Sequence, residues 1–283
     1  MLRPRTPLDR SSPLLAGYGH SANHGGAASR SALALLDISR WAGALVAEQS
    51  GHVEDIRPFL KGNTFLGRLP DAALDVLMHK GQIKRYRKGD VIYRRGEPGD
   101  SLMVVITGRT KLTNISVSGK EVVLHFLGAG DIYGEIAALD GKERAANAVA
   151  LEESQVFLLY TRDLIPALKA HPVAMFEIIQ ALCAKIRAGA AIIEDSTLEM
   201  RGRTARGLLR LARQHGRKDA EGVRLQLTLS QEELGKYLGL SRANVSRQLG
   251  ELREANVIKI SGSHIIITDE KGLAEIAEAA PRE

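Results

Sequence analysis

The most chemically pointed stretch of the chain is Gly134-Glu135-Ile136-Ala137-Ala138-Leu139-Asp140-Gly141-Lys142-Glu143-Arg144-Ala145-Ala146. Its residue types suit an anionic ribose phosphate. Gly134 lets the backbone turn closely, and a short helix starting there would aim backbone N–H groups at phosphate oxygens. Glu135 can accept a hydrogen bond from a ribose hydroxyl. Arg144 brings a permanent charge on a planar fork that matches phosphate. Alone, a Gly-Glu pair with an Arg nine residues after the Glu is a weakly specific signal.

A second stretch, residues 228–268, is more specific. Ser230 and Glu233 have the spacing of a capping box, so a helix is expected to start there, with Leu234 and Leu238 on its inner face. Gly239 suits a left-handed cap, after which Ser241 starts a second helix carrying Val245, Leu249 and Leu252 inward. Two short helices joined by a Gly-containing turn form a helix-turn-helix. Val257 to Ile260, a turn at Ser261-Gly262-Ser263, and His264 to Ile267 then read as a hairpin wing. On the second helix Arg242, Ala243, Ser246 and Arg247 lie off the apolar stripe, where a recognition helix meets the major groove. Arg242 and Arg247 can each fork onto guanine, and Ser246 can reach a base or a phosphate. Ser230 and Ser241 are placed for phosphate contacts that set register.

Composition agrees with a polyanionic partner. The net charge is +6, and the C-terminal third carries Arg201, Arg203, Arg206, Arg210, Arg213, Arg217, Arg242, Arg247 and Arg253. The single cysteine, Cys183, excludes an internal disulfide and any zinc or iron–sulfur site built from cysteines of one chain. Among apolar helical residues it reads as a small buried hydrophobe. No catalytic residue and no metal ligand is assigned, since no nucleophile–base pair or metal cluster stands out. An enzyme is not expected. Nor is a membrane partner, since no apolar run approaches the roughly 20 residues a span needs.

Several elements must position these residues. Residues 1–30 are rich in Gly, Ser, Ala, Pro and Arg and are expected to be disordered. They resemble an organellar transit peptide, and a true start further downstream would account for them equally. Leu33, Leu35, Leu36, Ile38, Trp41, Leu45 and Val46 mark an amphipathic stretch within 31–57. Leu69, Leu74, Leu77 and Met78 have helical spacing. Short β-rich runs follow at 91–93, 102–106, 111–113, 122–126 and 156–159, punctuated by Gly89-Asp90, Gly96 to Asp100, Gly108, Ser118-Gly119 and Gly130-Asp131. Such regular turn signals imply an antiparallel sandwich or barrel. After His171-Pro172 a heptad seam of Met175, Ile179, Leu182, Ile186, Gly189, Ile193, Ser196 and Met200 predicts a long helix paired with a partner helix.

Together, the 134–146 run, its upstream turns and the 228–268 module resemble the Crp/Fnr (catabolite-activator) family of bacterial transcription regulators over roughly residues 60–283. The resemblance implies an α+β fold. A jelly-roll-like cyclic-nucleotide-binding β-roll spans 58–170, a dimerisation helix 171–200 and a winged helix-turn-helix 201–283, behind an extension at 1–57. It implies a cytoplasmic homodimer that binds a pseudo-palindromic duplex and works with RNA polymerase. Its expected effector is cAMP or cGMP, held by Gly134, Glu135, Ile136, Ala137, Arg144, Ala145 and Ala146, with Glu135 on the ribose 2′-hydroxyl and Arg144 on the phosphate. Several positions depart from the family pattern. Glu143 stands where Pro is frequent, and Ala145 where many members carry Ser or Thr. Ala188-Gly189-Ala190-Ala191 occupies the helix segment that reads adenine through polar side chains in relatives that bind cAMP. Ala243 stands where relatives have a Glu that accepts from cytosine. The alternatives are DNA binding without a ligand, haem-based gas sensing through His79 or His125, and a cyclic-nucleotide-binding subunit that does not act on DNA.

Overall fold

The computed structural model describes residues 56–62 and 65–278. The expectations for residues 1–55, including the amphipathic stretch, lie outside the described residues.

Two four-stranded antiparallel sheets form the domain expected from the sequence to be the sensor. One runs β1(Gln82–Tyr86), β8(Ser154–Tyr160), β3(Ser101–Thr107), β6(Ile132–Tyr133), and the other β2(Val91–Tyr93), β7(Asn147–Ala150), β4(Thr110–Ile115), β5(Glu121–Leu127). Tyr93, Met103, Val105, Leu127, Tyr133, Ala148, Val156 and Leu158 are buried together in one core drawn from both sheets. The outer face of the first sheet is covered by helices α1(Arg57–Gly62), α2(Asp71–Lys80) and α4(Thr161–Ala170), with a 3-10 turn at Leu66–Arg68. Strand β3 is therefore apolar on both faces, buried from Ser101 through Ile106. This explains why its sequence reads as a continuous run rather than an alternation. All five expected strand runs fall within strands, while β1, β6 and β7 carry no comparable sequence signal.

Helix α3(Glu135–Asp140) sits between β6 and β7, and helix α5(Pro172–Asp195) leaves the sensor as the long helix. The heptad reading of α5 needs correction at both its end and its face. The helix stops at Asp195 with Ser196 as its C-cap, and Met200 opens the next helix. Met175 packs on the sensor core, and Leu182 lines a cavity against the sensor. The outward apolar row is Phe176, Ile179, Ile186 and Ile193, joined at the same spacing by half-buried Cys183 and exposed Ala190. The sensor claims one stripe of the helix, which rotates the free stripe by about one residue. Cys183 is therefore not a fully buried hydrophobe within one chain.

The C-terminal module comprises α6(Met200–His215), the hairpin β9(Gly216–Asp219)–β10(Gly222–Leu225), α7(Gln231–Leu238), α8(Arg242–Glu254), the wing β11(Ile258–Ser261)–β12(His264–Ile267) and α9(Glu270–Glu278). Its four strands form one sheet in the order β11-β12-β10-β9. The β9–β10 hairpin was not expected, because Gly216-Arg217-Lys218-Asp219 has almost no apolar content. Leu208, Leu211, Leu225, Leu234, Val245, Leu249, Leu252 and Leu273 build its core.

Candidate functional sites: a buried cassette and a recognition helix

Gly134 holds a left-handed backbone at φ 79° as the N-cap of α3. A Cβ there would lie 2.7 Å from Nη1 of Arg144, so the glycine is required by both conformation and space. Arg144 is 4% exposed. Its Nη1 donates to the carbonyls of Ser101 (2.7 Å) and Gly134 (3.0 Å), and its Nη2 donates to Ser101 Oγ (2.9 Å). The guanidinium lies 4.5 Å from the centroid of the Tyr93 ring. Nε is buried without a partner, and no carboxylate pairs with Arg144 among the described residues. A buried cation satisfied only by neutral acceptors is ready for an anion. Sequence reasoning missed Ser101 and Tyr93, which lie more than 40 residues upstream with no local motif to mark them.

Glu135 is buried beside Arg144's loop, but its partner is Lys185 of α5, whose Nζ lies 2.8 Å from Oε1. Lys185 also donates to the Ile132 carbonyl at 3.4 Å. This lysine was not singled out from the sequence either. Ala137 and Ala146 are buried, whereas Ile136 and Ala145 are exposed at the rim. The Ala145 carbonyl accepts from Asn114 Nδ2 at 3.3 Å.

Next to Glu135 a cavity of about 360 Å³ opens between the sensor, α5 and α6. Its walls are mostly apolar, with His125, Asp131, Lys185, Gln214 and His215 as polar additions. Burial lowers the pKa of His125, helped by the Lys185 charge, and raises that of Asp131. Burial takes His215 down to about 4. Both imidazoles are therefore neutral at pH 7. His79 lies elsewhere, exposed on α2 with Nδ1 2.8 Å from the Asp75 carbonyl oxygen.

The helix-turn-helix follows its sequence closely. Ser230 Oγ accepts from the Glu233 N–H at 3.1 Å, and the Glu233 carboxylate accepts from the Ser230 N–H at 3.0 Å. Gly239 caps α7 at φ 67°, and Ser241 Oγ accepts from the Asn244 N–H at 3.2 Å. Val245, Leu249 and Leu252 are buried, leaving Arg242, Ala243, Ser246 and Arg247 exposed on the opposite side of α8. Arg242 makes no hydrogen bond or ion pair among the described residues, so its fork is free. Arg247 leans back toward Glu251, 3.9 Å away, and toward Met200 Sδ. The Ser230 hydroxyl also donates to Glu233, so it is fully used within its cap.

One further cluster joins the modules. Asp195, buried at the end of α5, receives Arg206 and Arg210 from α6. Arg210 Nε donates to the Tyr237 hydroxyl at 2.7 Å, and the Tyr237 ring packs on Phe126 of β5 at 5.4 Å. Lys236 of α7 pairs with Glu121 of β5 at 2.9 Å.

Comparisons with known proteins agree with this geometry. Residues 83–171 match the model of the cyclic nucleotide-binding domain, and residues 202–276 match that of the Crp-like helix-turn-helix domain. The chain is 28% identical over 219 residues to the cyclic AMP receptor protein of Thermus thermophilus, covering 77% of this chain and 98% of the relative. It is 26% identical over 207 residues to a CRP-like cAMP-activated global transcriptional regulator of Mycobacterium tuberculosis, covering 73% and 92%. The crystal structure of a CRP-family transcriptional regulator from Thermus thermophilus matches with a TM-score of 0.56 at 28% identity, over 70% of this chain and 97% of that one. With a nucleotide-binding β-roll, a long helix and a winged helix-turn-helix in this order, the chain belongs to the CRP/FNR family of DNA-binding transcriptional regulators.

Proposed function

We propose that the chain is a cytoplasmic homodimer whose β-roll binds a cyclic nucleotide, cAMP foremost with cGMP also accepted. Binding controls how its two recognition helices meet a pseudo-palindromic operator beside RNA polymerase. The observation that carries the effector reading is Arg144: a buried guanidinium with an orphaned Nε, no carboxylate partner, and Gly134 and Glu135 alongside. Those groups fit a ribose phosphate, with Arg144 facing the phosphate and Glu135 exchanging Lys185 for a ribose hydroxyl. The names of two relatives support cAMP.

The homodimer rests on the outward row of Phe176, Ile179, Ile186 and Ile193, an apolar stripe on α5 at coiled-coil spacing. A ligand moves such a dimer only by binding its DNA-competent form more tightly than its other form. DNA affinity measured with cAMP, with cGMP and without ligand is the test. Tighter operator binding with either nucleotide supports the reading, and identical affinity in all three states rejects control by a cyclic nucleotide. Sedimentation of Ile186→Asp tests the dimer: monomers are expected, and an unchanged dimer removes α5 as the interface.

A further inference from the structure

The base of a nucleotide seated on Glu135 needs a reader, and the 188–191 segment of α5 does not offer one. Ala188-Gly189-Ala190-Ala191 has no side chain that can donate or accept a hydrogen bond. The cavity beside Glu135 supplies what that segment lacks. His125 projects from β5 and Gln214 from α6, and both line that cavity. Neither side chain makes a hydrogen bond among the described residues, so both keep their full capacity. Of the other polar groups there, two are already engaged, while His215 Nε2 is buried without a partner. Lys185 holds Glu135, and Asp131 accepts from the Gly128 N–H at 2.8 Å.

Building on the cyclic-nucleotide reading, we propose that Gln214 and His125 read the purine base of the effector, with Gln214 selecting adenine over guanine. A carboxamide presents one donor face and one acceptor face side by side. That pattern complements adenine, where the exocyclic amine sits beside a ring-nitrogen acceptor. The corresponding edge of guanine presents two acceptors and suits a guanidinium instead. His125 is held neutral, so it contributes one donor and one acceptor without bringing an unpaired charge into an apolar cavity. The walls around it, including Leu112, Leu127, Ile178 and Leu182, are suited to the faces of a planar ring.

The consequence is regulatory. Gln214 belongs to the DNA-binding module, so the base touches that module directly while the ribose phosphate is held by the sensor. The ligand then bridges two parts of one chain, and its occupancy favours the arrangement in which Gln214 is within reach. Because such coupling is reciprocal, DNA must raise cAMP affinity by the same factor that cAMP raises DNA affinity.

The test is calorimetric titration of the full chain with cAMP and with cGMP, each with and without operator duplex, for wild type, Gln214→Ala and His125→Asn. Gln214 is exposed, so its loss is expected to leave the fold intact, and circular dichroism is the check on the fold of both variants. Wild type is expected to prefer cAMP. Gln214→Ala is expected to weaken cAMP about tenfold, leave cGMP nearly unchanged and abolish the mutual enhancement between cAMP and DNA. His125→Asn is expected to weaken both nucleotides. A wild-type preference for cGMP, or an unchanged cAMP-to-cGMP ratio in Gln214→Ala, overturns the inference while leaving the effector reading intact. No heat from wild type with either nucleotide overturns the effector reading, and this inference with it.

Discussion

Arg144 and Arg242 sit in the two regions that define this protein, and their surroundings are opposites. Arg144 is buried, and its fork donates to the Ser101 and Gly134 carbonyls and the Ser101 hydroxyl. Arg242 stands exposed at the start of α8 with no hydrogen bond or ion pair among the described residues. A residue proposed to read DNA, as Arg242 is, must keep its donors free until the groove arrives. A residue that waits for a small anion inside a β-roll must be satisfied meanwhile, because an unpaired buried charge is costly. One arginine is thus part of the fold and the other is carried by it.

Replacing each arginine by alanine breaks that comparison if it is wrong. Arg144→Ala strips Ser101 and Gly134 of their donors and leaves a void beside Tyr93. Its expected cost is about 3 kcal/mol of stability, together with loss of nucleotide binding. Urea denaturation and calorimetry read the two effects. A variant as stable as wild type would show that Arg144 is not structural. Arg242→Ala is expected to leave the urea midpoint alone and to cost about 1–3 kcal/mol of operator affinity per half-site while relaxing one base position. Equal losses on operator and random duplex would move Arg242 from base reading to phosphate contact.

The same contrast explains what the sequence disclosed. The helix-turn-helix is specified locally: Ser230 with Glu233, Gly239, Ser241 and the Val245-Leu249-Leu252 stripe all act within a few residues of themselves. All were legible, and all appear in the structure. The cassette was legible only in part. Gly134, Glu135 and Arg144 form a recognisable run, but their partners Ser101, Tyr93 and Lys185 arrive from distant elements with no pattern of their own. The heptad of α5 was read correctly as a period and only in part as a face: Ile179, Ile186 and Ile193 lie outward as expected, whereas Met175 and Leu182 turn to the sensor. Only the folded sensor decides that Leu182 points inward and Cys183 joins the outward row. The Asp195–Arg206–Arg210 cluster likewise joins two helices whose sequences show an isolated acid and an Arg-rich run.

A smaller effect separates the regions by pH. His125 of β5 and His215 of α6 line the cavity where the two modules meet, and both have folded-state pKa values below the ordinary 6.5, His215 at about 4. As pH falls below 6.5 the unfolded chain takes up protons that the folded chain refuses. Stability is therefore full above about 6.5 and declines toward pH 4, by at most about 1.4 kcal/mol per pH unit for each histidine. Asp131 acts in the opposite sense at the acid end, since burial raises its pKa and protonation relieves it. Urea midpoints at pH 7.5, 6 and 5 check the trend. His215→Leu should flatten it, whereas the helix-turn-helix, with no buried histidine among α7 and α8, should not contribute.

The smallest effect bears on Ser230, which sequence reasoning placed on a DNA phosphate. In the structure its oxygen accepts from the Glu233 N–H and its proton goes to the Glu233 carboxylate, so both functions of the hydroxyl are taken up by the cap. Ser230→Ala is then expected to cost about 1 kcal/mol of stability through the lost capping box. DNA affinity should fall little, and its dependence on salt should keep the same slope, because no charged phosphate contact has been removed. A marked loss of affinity at unchanged stability would mean that the hydroxyl leaves Glu233 when DNA binds. Ser241 offers the control within the same motif. Its hydroxyl oxygen caps Asn244, but its proton is uncommitted among the described residues, so it remains available to a phosphate oxygen. Ser241→Ala should therefore weaken DNA binding more than Ser230→Ala does, at a similar cost in stability.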